Sequence, residues 1–277
     1  MRDKDKKALF SASLLLAEDD PLNADIAART LQKMGCRIRV ASDGLSVARL
    51  FEEGSFDLIL MDCEMPEMDG FGATRQIRQL EAGRRHIPIV ALTAHAPAEV
   101  REKCLAAGMD DVLAKPFKEA QLIHTLHRWI DGVGNTNVVC EPSAAIAPVR
   151  ASELSVDRVA LENVSAFKGR DGALLLKNVV ARFADTARTQ LLLLREKQAE
   201  GEAQEVLRIA HTLKSSSATL GAHCVSKCCA EIEARAGRGE LAPLPGFLAT
   251  LEKELSAAVK MLGEIVGERE GLSHVSP

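Results

Sequence analysis

Short apolar runs alternate with segments of helical periodicity in the first half of the chain. After the first run, Ala24, Ala27, Ala28 and Leu31 repeat at the spacing of a helix that buries one face. This alternation predicts an α/β domain over residues 13–130, with a doubly wound five-stranded parallel sheet. The strands are predicted at Leu14–Ala17, Arg37–Ala41, Leu58–Met61, Ile87–Leu92 and Val112–Ala114.

The second half of the chain has helical periodicity and no strand signal. Short breaks that contain glycine separate its segments, so neighbouring helices should run antiparallel. Residues 156–268 are therefore predicted to form an antiparallel four-helix bundle. The helices are predicted at about Gly172–Ala199, Glu202–Leu220, Ala222–Ala236 and Pro245–Val266.

A segment without periodicity separates the two halves. Residues 131–155 are rich in Gly, Pro, Ala and Ser, a composition typical of a flexible linker. A coil of about 25 residues spans roughly 25–30 Å, so groups on the two predicted domains could meet within one chain.

Composition narrows the classes of function. A chain of 277 residues with 47% hydrophobic residues can form two ordinary domains, and its net charge of −4 argues against nucleic acid as a main partner. No apolar run is long enough for a membrane span. The charged start, Met1–Lys7, leads us to expect no secretory signal. Seven scattered cysteines are typical of a reducing compartment, so a cytoplasmic location is expected.

Acidic residues follow two of the predicted strands. Asp62 comes directly after the third run, and Glu18 and Asp19 come directly after the first. Because the carboxyl ends of parallel strands meet at one edge of a sheet, these carboxylates should lie close together. Neighbouring carboxylates repel one another unless a cation lies between them, and oxygen ligands suit Mg²⁺. The sequence therefore predicts a magnesium site with phosphoryl chemistry on a carboxylate.

Two further polar residues follow the remaining strands of the predicted sheet. Thr93 follows the fourth run and Lys115 follows the fifth, so both should reach the same edge as Asp62. A hydroxyl and an ammonium beside a carboxylate–Mg²⁺ site can bind the oxygens of a transferring phosphoryl group.

Four motifs in residues 13–130, LLLAEDDPLN, DLILMDCEMPEMDGF, IPIVALTAHA and GMDDVLAKPF, resemble the receiver domain of response regulators and hybrid histidine kinases. The resemblance implies a flavodoxin-like sheet with strand order 2-1-3-4-5. It also implies that Asp62 accepts a phosphoryl group, which Thr93 and Lys115 contact. The implied Mg²⁺ ligands are Asp19, Asp62, the Glu64 carbonyl and, through water, Glu18.

A histidine stands out in the second half. On a helical wheel, Val206, Ile209, Leu213 and Leu220 form an apolar stripe, and His211 lies on about the opposite side. His211 is therefore expected to face solvent, although a single helical histidine is usually a residue without catalytic function.

The residues after this histidine carry a second resemblance. The order His211, Thr212, Leu213 and Lys214 resembles the histidine-phosphotransfer (HPt) domain over about residues 156–268. The resemblance implies that His211 accepts and donates a phosphoryl group, and Lys214 would supply the positive charge that helps the transfer. Ser215 stands where the family usually carries Gly, which could retune docking of a partner.

Together the two resemblances lead us to expect an intermediate of a two-component phosphorelay. A histidine kinase would phosphorylate Asp62, His211 would receive the group, and a downstream receiver domain would collect it. Alternatives are a docking or inhibitory scaffold for a kinase and a phosphate sink that hydrolyses the group at Asp62. The sequence carries no Gly-rich nucleotide lid and no Walker loop, so ATP binding is not expected. The chain resembles the C-terminal part of a hybrid histidine kinase.

Overall fold

The computed structural model describes residues 9–81, 85–93, 98–131, 156–158, 160–161 and 170–273. The chain forms two compact units that divide between residues 136 and 137. Apart from its first residue, the predicted linker 131–155 lies outside the described residues. The boundaries 13–130 and 156–268 stay predictions.

The first unit is a five-stranded parallel sheet with helices on its faces. The strand order is β2-β1-β3-β4-β5, which confirms the predicted flavodoxin-like topology. The strands are β1 (Ser13–Ala17), β2 (Arg37–Ala41), β3 (Leu58–Asp62), β4 (Ile89–Thr93) and β5 (Asp111–Ala114). The helices are α1 (Pro21–Lys33), α2 (Gly44–Glu53), α3 (Gly70–Leu80), α4 (Ala98–Ala106) and α5 (Glu119–Ile130).

Two hydrophobic cores cover the two faces of the sheet. Ile59 and Met61 of β3 belong to one core, while Leu58 and Leu60 belong to the other. Successive side chains of a strand point to opposite faces, so both sets are buried only because helices cover both sides. This is why the central strands have continuous apolar runs, with β3 and β4 buried at every position.

Aspartates start three of the helices that follow strands. Asp20 caps α1, where its side chain accepts a hydrogen bond from the Leu22 amide at 2.7 Å, and Pro21 is the first helical residue. Asp43 and Asp69 cap α2 and α3 in the same way. Asp20 therefore has a structural task, which leaves Glu18 and Asp19 as the acidic residues available at the end of β1.

Residues 170–273 of the second unit form four helices that pack as a bundle, as predicted. Each helix contacts the next along the chain, and the last also contacts the first, so the four close around one core. The turn between the second and third of these helices contains Gly221, whose φ of 71° favours glycine. The helices are α6 (Arg170–Glu200), α7 (Ala203–Thr219), α8 (His223–Gly237) and α9 (Leu244–Ser273).

Candidate functional site

Three carboxylates gather at the carboxyl edge of the sheet. Asp62 is the last residue of β3, Glu18 directly follows β1, and each is 4% exposed. One carboxylate oxygen from each of Glu18, Asp19 and Asp62 lies within 4.8 Å of the other two. Because parallel β1 and β3 are neighbours in the sheet, their ends bring these side chains together, as the sequence predicted.

Lys115 bridges two of these carboxylates. Its Nζ donates to Glu18 Oε2 at 2.6 Å and to Asp62 Oδ2 at 2.5 Å. The residue follows β5, precedes the cis peptide bond to Pro116, and donates its backbone N–H to the Thr93 carbonyl at 2.7 Å. Thr93 ends β4 and is buried at this same edge. The structure thus brings together the predicted residues from four strand ends.

Burial and charge act against each other in this cluster. Burial raises the pKa of Glu18 to about 8, although the Lys115 ammonium opposes the shift and Asp62 adds to it. Burial by itself would lower the pKa of Lys115, but Glu18 and Asp62 outweigh it and raise that pKa. Even when Glu18 is protonated, the two aspartates outnumber the single ammonium, and a divalent cation would compensate for the excess of negative charge.

The loop after β3 fits closely around the phosphoacceptor candidate. The Glu64 amide donates to Asp62 Oδ1 at 3.2 Å, while the predicted role of the Glu64 carbonyl stays a prediction. A Cβ atom on Gly70, the first residue of α3, would lie 2.1 Å from the Asp62 carbonyl oxygen. Only glycine permits this approach, so α3 begins directly against the site.

The second candidate site lies between two helices of the bundle. His211 and Lys214 lie one turn apart on α7, and Glu233 of α8 contacts both. Its Oε1 lies 2.8 Å from His211 Nδ1, and its Oε2 accepts from Lys214 Nζ at 2.5 Å. The three side chains therefore form one charged cluster.

The prediction that His211 faces solvent was wrong, because the residue is 9% exposed. The Lys214 side chain is also mostly buried, with 12% of its surface exposed. A helical wheel describes the faces of one helix and cannot represent a side chain that reaches across from another. Here Glu233 lies against the polar side of α7.

Sequence reasoning missed Glu233. Its only sequence signal is its place beside Ile232, which belongs to the buried stripe of α8. Burial tends to raise the pKa of Glu233, but hydrogen bonds from His211 and Lys214 outweigh burial and hold that pKa below its ordinary value. Glu233 is therefore ionised at neutral pH and carries a full charge against the histidine ring.

Comparison with protein-family models matches both units. The response regulator receiver domain matches residues 14–127, and the Hpt domain matches residues 178–260. The chain carries a receiver domain followed by an Hpt domain. Asp62, Thr93 and Lys115 lie within the receiver match, and His211, Lys214 and Glu233 lie within the Hpt match.

Curated relatives of this receiver–Hpt chain are hybrid kinases and sensor proteins. Signal transduction histidine-protein kinase BarA of Shigella flexneri is 30% identical over 93% of this chain and 28% of its own length. Sensor protein GacS of Pseudomonas syringae pv. syringae is 41% identical over 42% of this chain and 13% of its own length. The chain thus spans less than a third of these relatives.

Solved structures similar to this chain include the receiver domain of sensor histidine kinase PA1611 from Pseudomonas aeruginosa, with a magnesium ion in its active site cleft. It is 48% identical and covers 44% of this chain and 99% of its own, with a TM-score of 0.41. A second similar structure is the Saccharomyces cerevisiae complex of Ypd1 with the Ssk1 receiver domain, which is 28% identical. The match covers 48% of this chain and 97% of the matched chain, with a TM-score of 0.43. Separately, every helix in the described part of the receiver–Hpt chain is too short or too polar to cross a membrane.

Proposed function

We propose that this chain is a phosphorelay intermediate in which Asp62 receives a phosphoryl group and His211 takes it over. The observation that carries the proposal is the cluster at the sheet edge, where Lys115 joins Asp62 to Glu18 beside Asp19. Receiver and Hpt matches on one chain support this order of carriers.

In the receiver step, Asp62 is the nucleophile, and the neighbouring residues compensate the negative charge of the phosphoryl group. Carboxylate oxygens are the donors that Mg²⁺ prefers, so Glu18, Asp19 and Asp62, with the Glu64 carbonyl, would hold the ion. When bound, Mg²⁺ supplies neutralisation of the phosphoryl oxygens. The Lys115 ammonium already donates a hydrogen bond to Asp62. The Thr93 hydroxyl, at the end of β4, would contact a phosphoryl oxygen.

In the second step, the imidazole of His211 attacks the aspartyl phosphate. The chemistry needs in-line positioning and charge compensation rather than further covalent catalysis. Lys214 supplies positive charge one turn from His211, with Nζ 3.3 Å from Nδ1. His211 then donates the group to another receiver.

The partners follow from this chemistry. A histidine kinase supplies the phosphoryl group to Asp62, and the receiver domain of a response regulator accepts it from His211. A cytoplasmic location is part of the proposal, supported by the six described cysteines, which are all free thiols.

Matched variants of the full chain test the order of carriers. With Mg²⁺ and labelled acetyl phosphate, Asp62→Asn should gain no base-labile label. His211→Gln should keep base-labile label on Asp62 and gain no acid-labile label. If His211→Gln still gains acid-labile label at the normal rate, the relay assignment fails. Binding of a kinase without label would favour the scaffold, and rapid release of inorganic phosphate would favour the phosphate sink.

A further inference from the structure

Two buried thiols lie in contact beside the phosphoacceptor candidate. Cys63 directly follows Asp62 at the end of β3, and Cys104 lies on α4. Their sulfur atoms are 3.8 Å apart, although the two residues are 41 positions apart in sequence. Both belong to the same core on one face of the sheet, with 4% and 0% of their surfaces exposed. Neither the magnesium site nor the proposed phosphoryl transfer uses these thiols.

The two sulfurs are close enough for a covalent bond to form after a small movement. A disulfide bond is about 2.05 Å long, so the sulfurs would have to approach by roughly 1.7 Å. The backbone of Cys63 is held on both sides, because its N–H donates to the Leu92 carbonyl and its carbonyl accepts from the Gly70 amide, each at 3.1 Å. Cys104 and its helix therefore have to make most of the movement.

The helix that carries Cys104 has the smallest buried face of the five receiver helices. Of the nine residues of α4, all of them described, only Cys104 is buried, whereas α1 and α2 each bury five residues. A segment with few buried contacts opens at a lower free energy than the rest of a domain. Opening of α4 would carry the Cys104 thiol out of the core into water, where a small oxidant can reach it.

We infer that Cys63 and Cys104 form an oxidisable dithiol site, in which hydrogen peroxide converts the two thiols to a disulfide that ties α4 to the loop of Asp62. The effect of this bond on Asp62 rests on the proposed function. Burial raises the pKa of the Cys104 thiol, so the closed structure protects it and oxidation proceeds through the open form of α4. In a reducing compartment such a disulfide is transient, as redox-sensing disulfides are.

The reaction consumes one peroxide for each pair of thiols. In the open form, the Cys104 thiolate attacks one oxygen of the peroxide, the O–O bond breaks, and the released hydroxide takes up a proton to become water. On closing, the Cys63 sulfur attacks the sulfenic sulfur of Cys104 and forms the S–S bond. The Cys63 proton passes to the departing hydroxide, which leaves as a second water. Two electrons pass from the sulfurs to the peroxide.

The part of the movement that falls on Cys63 reaches the phosphoacceptor through one peptide bond. On the other side of Cys63, the Glu64 amide donates to Asp62 Oδ1 at 3.2 Å. A shift of Cys63 therefore moves the carboxylate and its hydrogen-bond donor together. Phosphoryl transfer depends on in-line geometry, and a misplacement of about 1 Å can cost roughly a hundredfold in rate. The disulfide form is therefore expected to take up a phosphoryl group more slowly.

Mass spectrometry of the full chain tests whether the bond forms. The reduced wild type is treated with hydrogen peroxide at concentrations that leave its circular dichroism unchanged. Remaining thiols are blocked with N-ethylmaleimide in denaturant, and the protein is digested without a reductant. We expect a peptide pair linked through Cys63 and Cys104, and the exposed Cys224 is the internal control for the action of the oxidant. If Cys224 is oxidised while Cys63 and Cys104 both carry the blocking group, the inference is overturned.

The initial rate of label uptake from acetyl phosphate with Mg²⁺ tests the effect on Asp62. The oxidised wild type should be about tenfold slower than the reduced protein, and dithiothreitol should restore the rate. Cys104→Ala cannot form the bond, so its rate should not respond to peroxide. The matched control is Cys36→Ala, at a buried thiol of the other core, which should respond to peroxide as the wild type does.

An unchanged rate in the linked wild type, or an equal loss of rate in oxidised Cys104→Ala, would overturn the inference. If Cys104→Ala does not fold, the linked peptide and the reversal by dithiothreitol in the wild type decide. If the reduced wild type takes up no label, the proposed function fails, whereas the linked peptide still decides whether the dithiol site exists.

Discussion

Lys115 is the residue on which the charge balance of the receiver site depends. Its side chain is 11% exposed and lies between Glu18 and Asp62, which are also buried. A buried ion pair contributes little net stability, but removal of one partner leaves an uncompensated charge. Lys115 would therefore compete with a bound cation for the same carboxylates, in addition to its proposed contact with the phosphoryl group.

Lys115→Ala should destabilise the receiver unit by about 3 kcal/mol without Mg²⁺, because it leaves the carboxylates without their cation. Protonation of Glu18 will offset part of this loss, since its pKa is already raised to about 8. Mg²⁺ should therefore raise the melting temperature more in Lys115→Ala than in the wild type. The measurement is thermal unfolding with and without Mg²⁺, and Lys103→Ala, at an exposed lysine, is the control. An equal rise of the melting temperature with Mg²⁺ in all three proteins would contradict the prediction.

The lowered pKa of Glu233 predicts that the folding stability of the bundle depends on pH. A carboxylate with a lowered pKa in the folded state contributes stability above its ordinary pKa and loses it as pH falls. Stability of the wild type should therefore fall as the pH drops below the ordinary value of 4.5. Glu233→Gln should remove this part of the dependence. Urea unfolding between pH 3 and 7, followed by circular dichroism, measures both proteins. Parallel pH profiles would show that the prediction is wrong.

At the scale of elements, the start of α3 shows how closely a helix can define a site. Gly70 follows the capping Asp69, and its amide donates to the Cys63 carbonyl at 3.1 Å. The helix therefore begins directly over the end of β3. Any side chain larger than hydrogen would push either the helix or the strand end that carries Asp62.

Gly70→Ala should destabilise the receiver unit by about 1–3 kcal/mol, the usual cost of overpacking, because the added Cβ would meet a backbone oxygen. Phosphorylation of Asp62 should slow as well. The matched substitution is Gly246→Ala in α9, where a Cβ meets no atom within 4 Å. It should stabilise the bundle by about 0.5–1 kcal/mol through helix propensity. Urea unfolding of both variants checks the two signs, and destabilisation by both would contradict the prediction.

At the scale of the whole molecule, one chain carries both proposed phosphoryl carriers. Each unit has its own site, and the hydrogen bonds described for each site join residues of that unit. The residues between the two units were predicted from composition to be a flexible linker. The length of such a linker sets the effective concentration of one site in the neighbourhood of the other.

Transfer from Asp62 to His211 is expected to occur within one chain. A linker with the predicted properties, about 25 residues long, would give an effective concentration in the millimolar range, far above the concentration of the protein in an assay. Acid-labile label on the wild type should therefore appear at a rate independent of protein concentration. A mixture of Asp62→Asn with His211→Gln must transfer between molecules, so it should be slower and concentration-dependent. Equal rates in both experiments would show transfer between chains.

The sequence by itself determined the features of this protein that depend on residues close together in the chain. Apolar runs with Asp62, Thr93 and Lys115 at their ends are enough to predict the sheet and its site, because parallel strands bring their carboxyl ends together. The periodicity of residues 170–273 is enough to predict the bundle, because the apolar stripe of each helix has to be buried against other helices.

Only the tertiary structure decided which side chains meet across elements. Glu233 lies 22 residues from His211 in sequence, and no periodicity links the two, so their hydrogen bond exists only because α7 and α8 pack side by side. His211 is 9% exposed, although the periodicity of its own helix would leave it toward solvent. Periodicity within one helix records which face is apolar, whereas a polar contact between helices depends on register and distance, which local sequence does not encode.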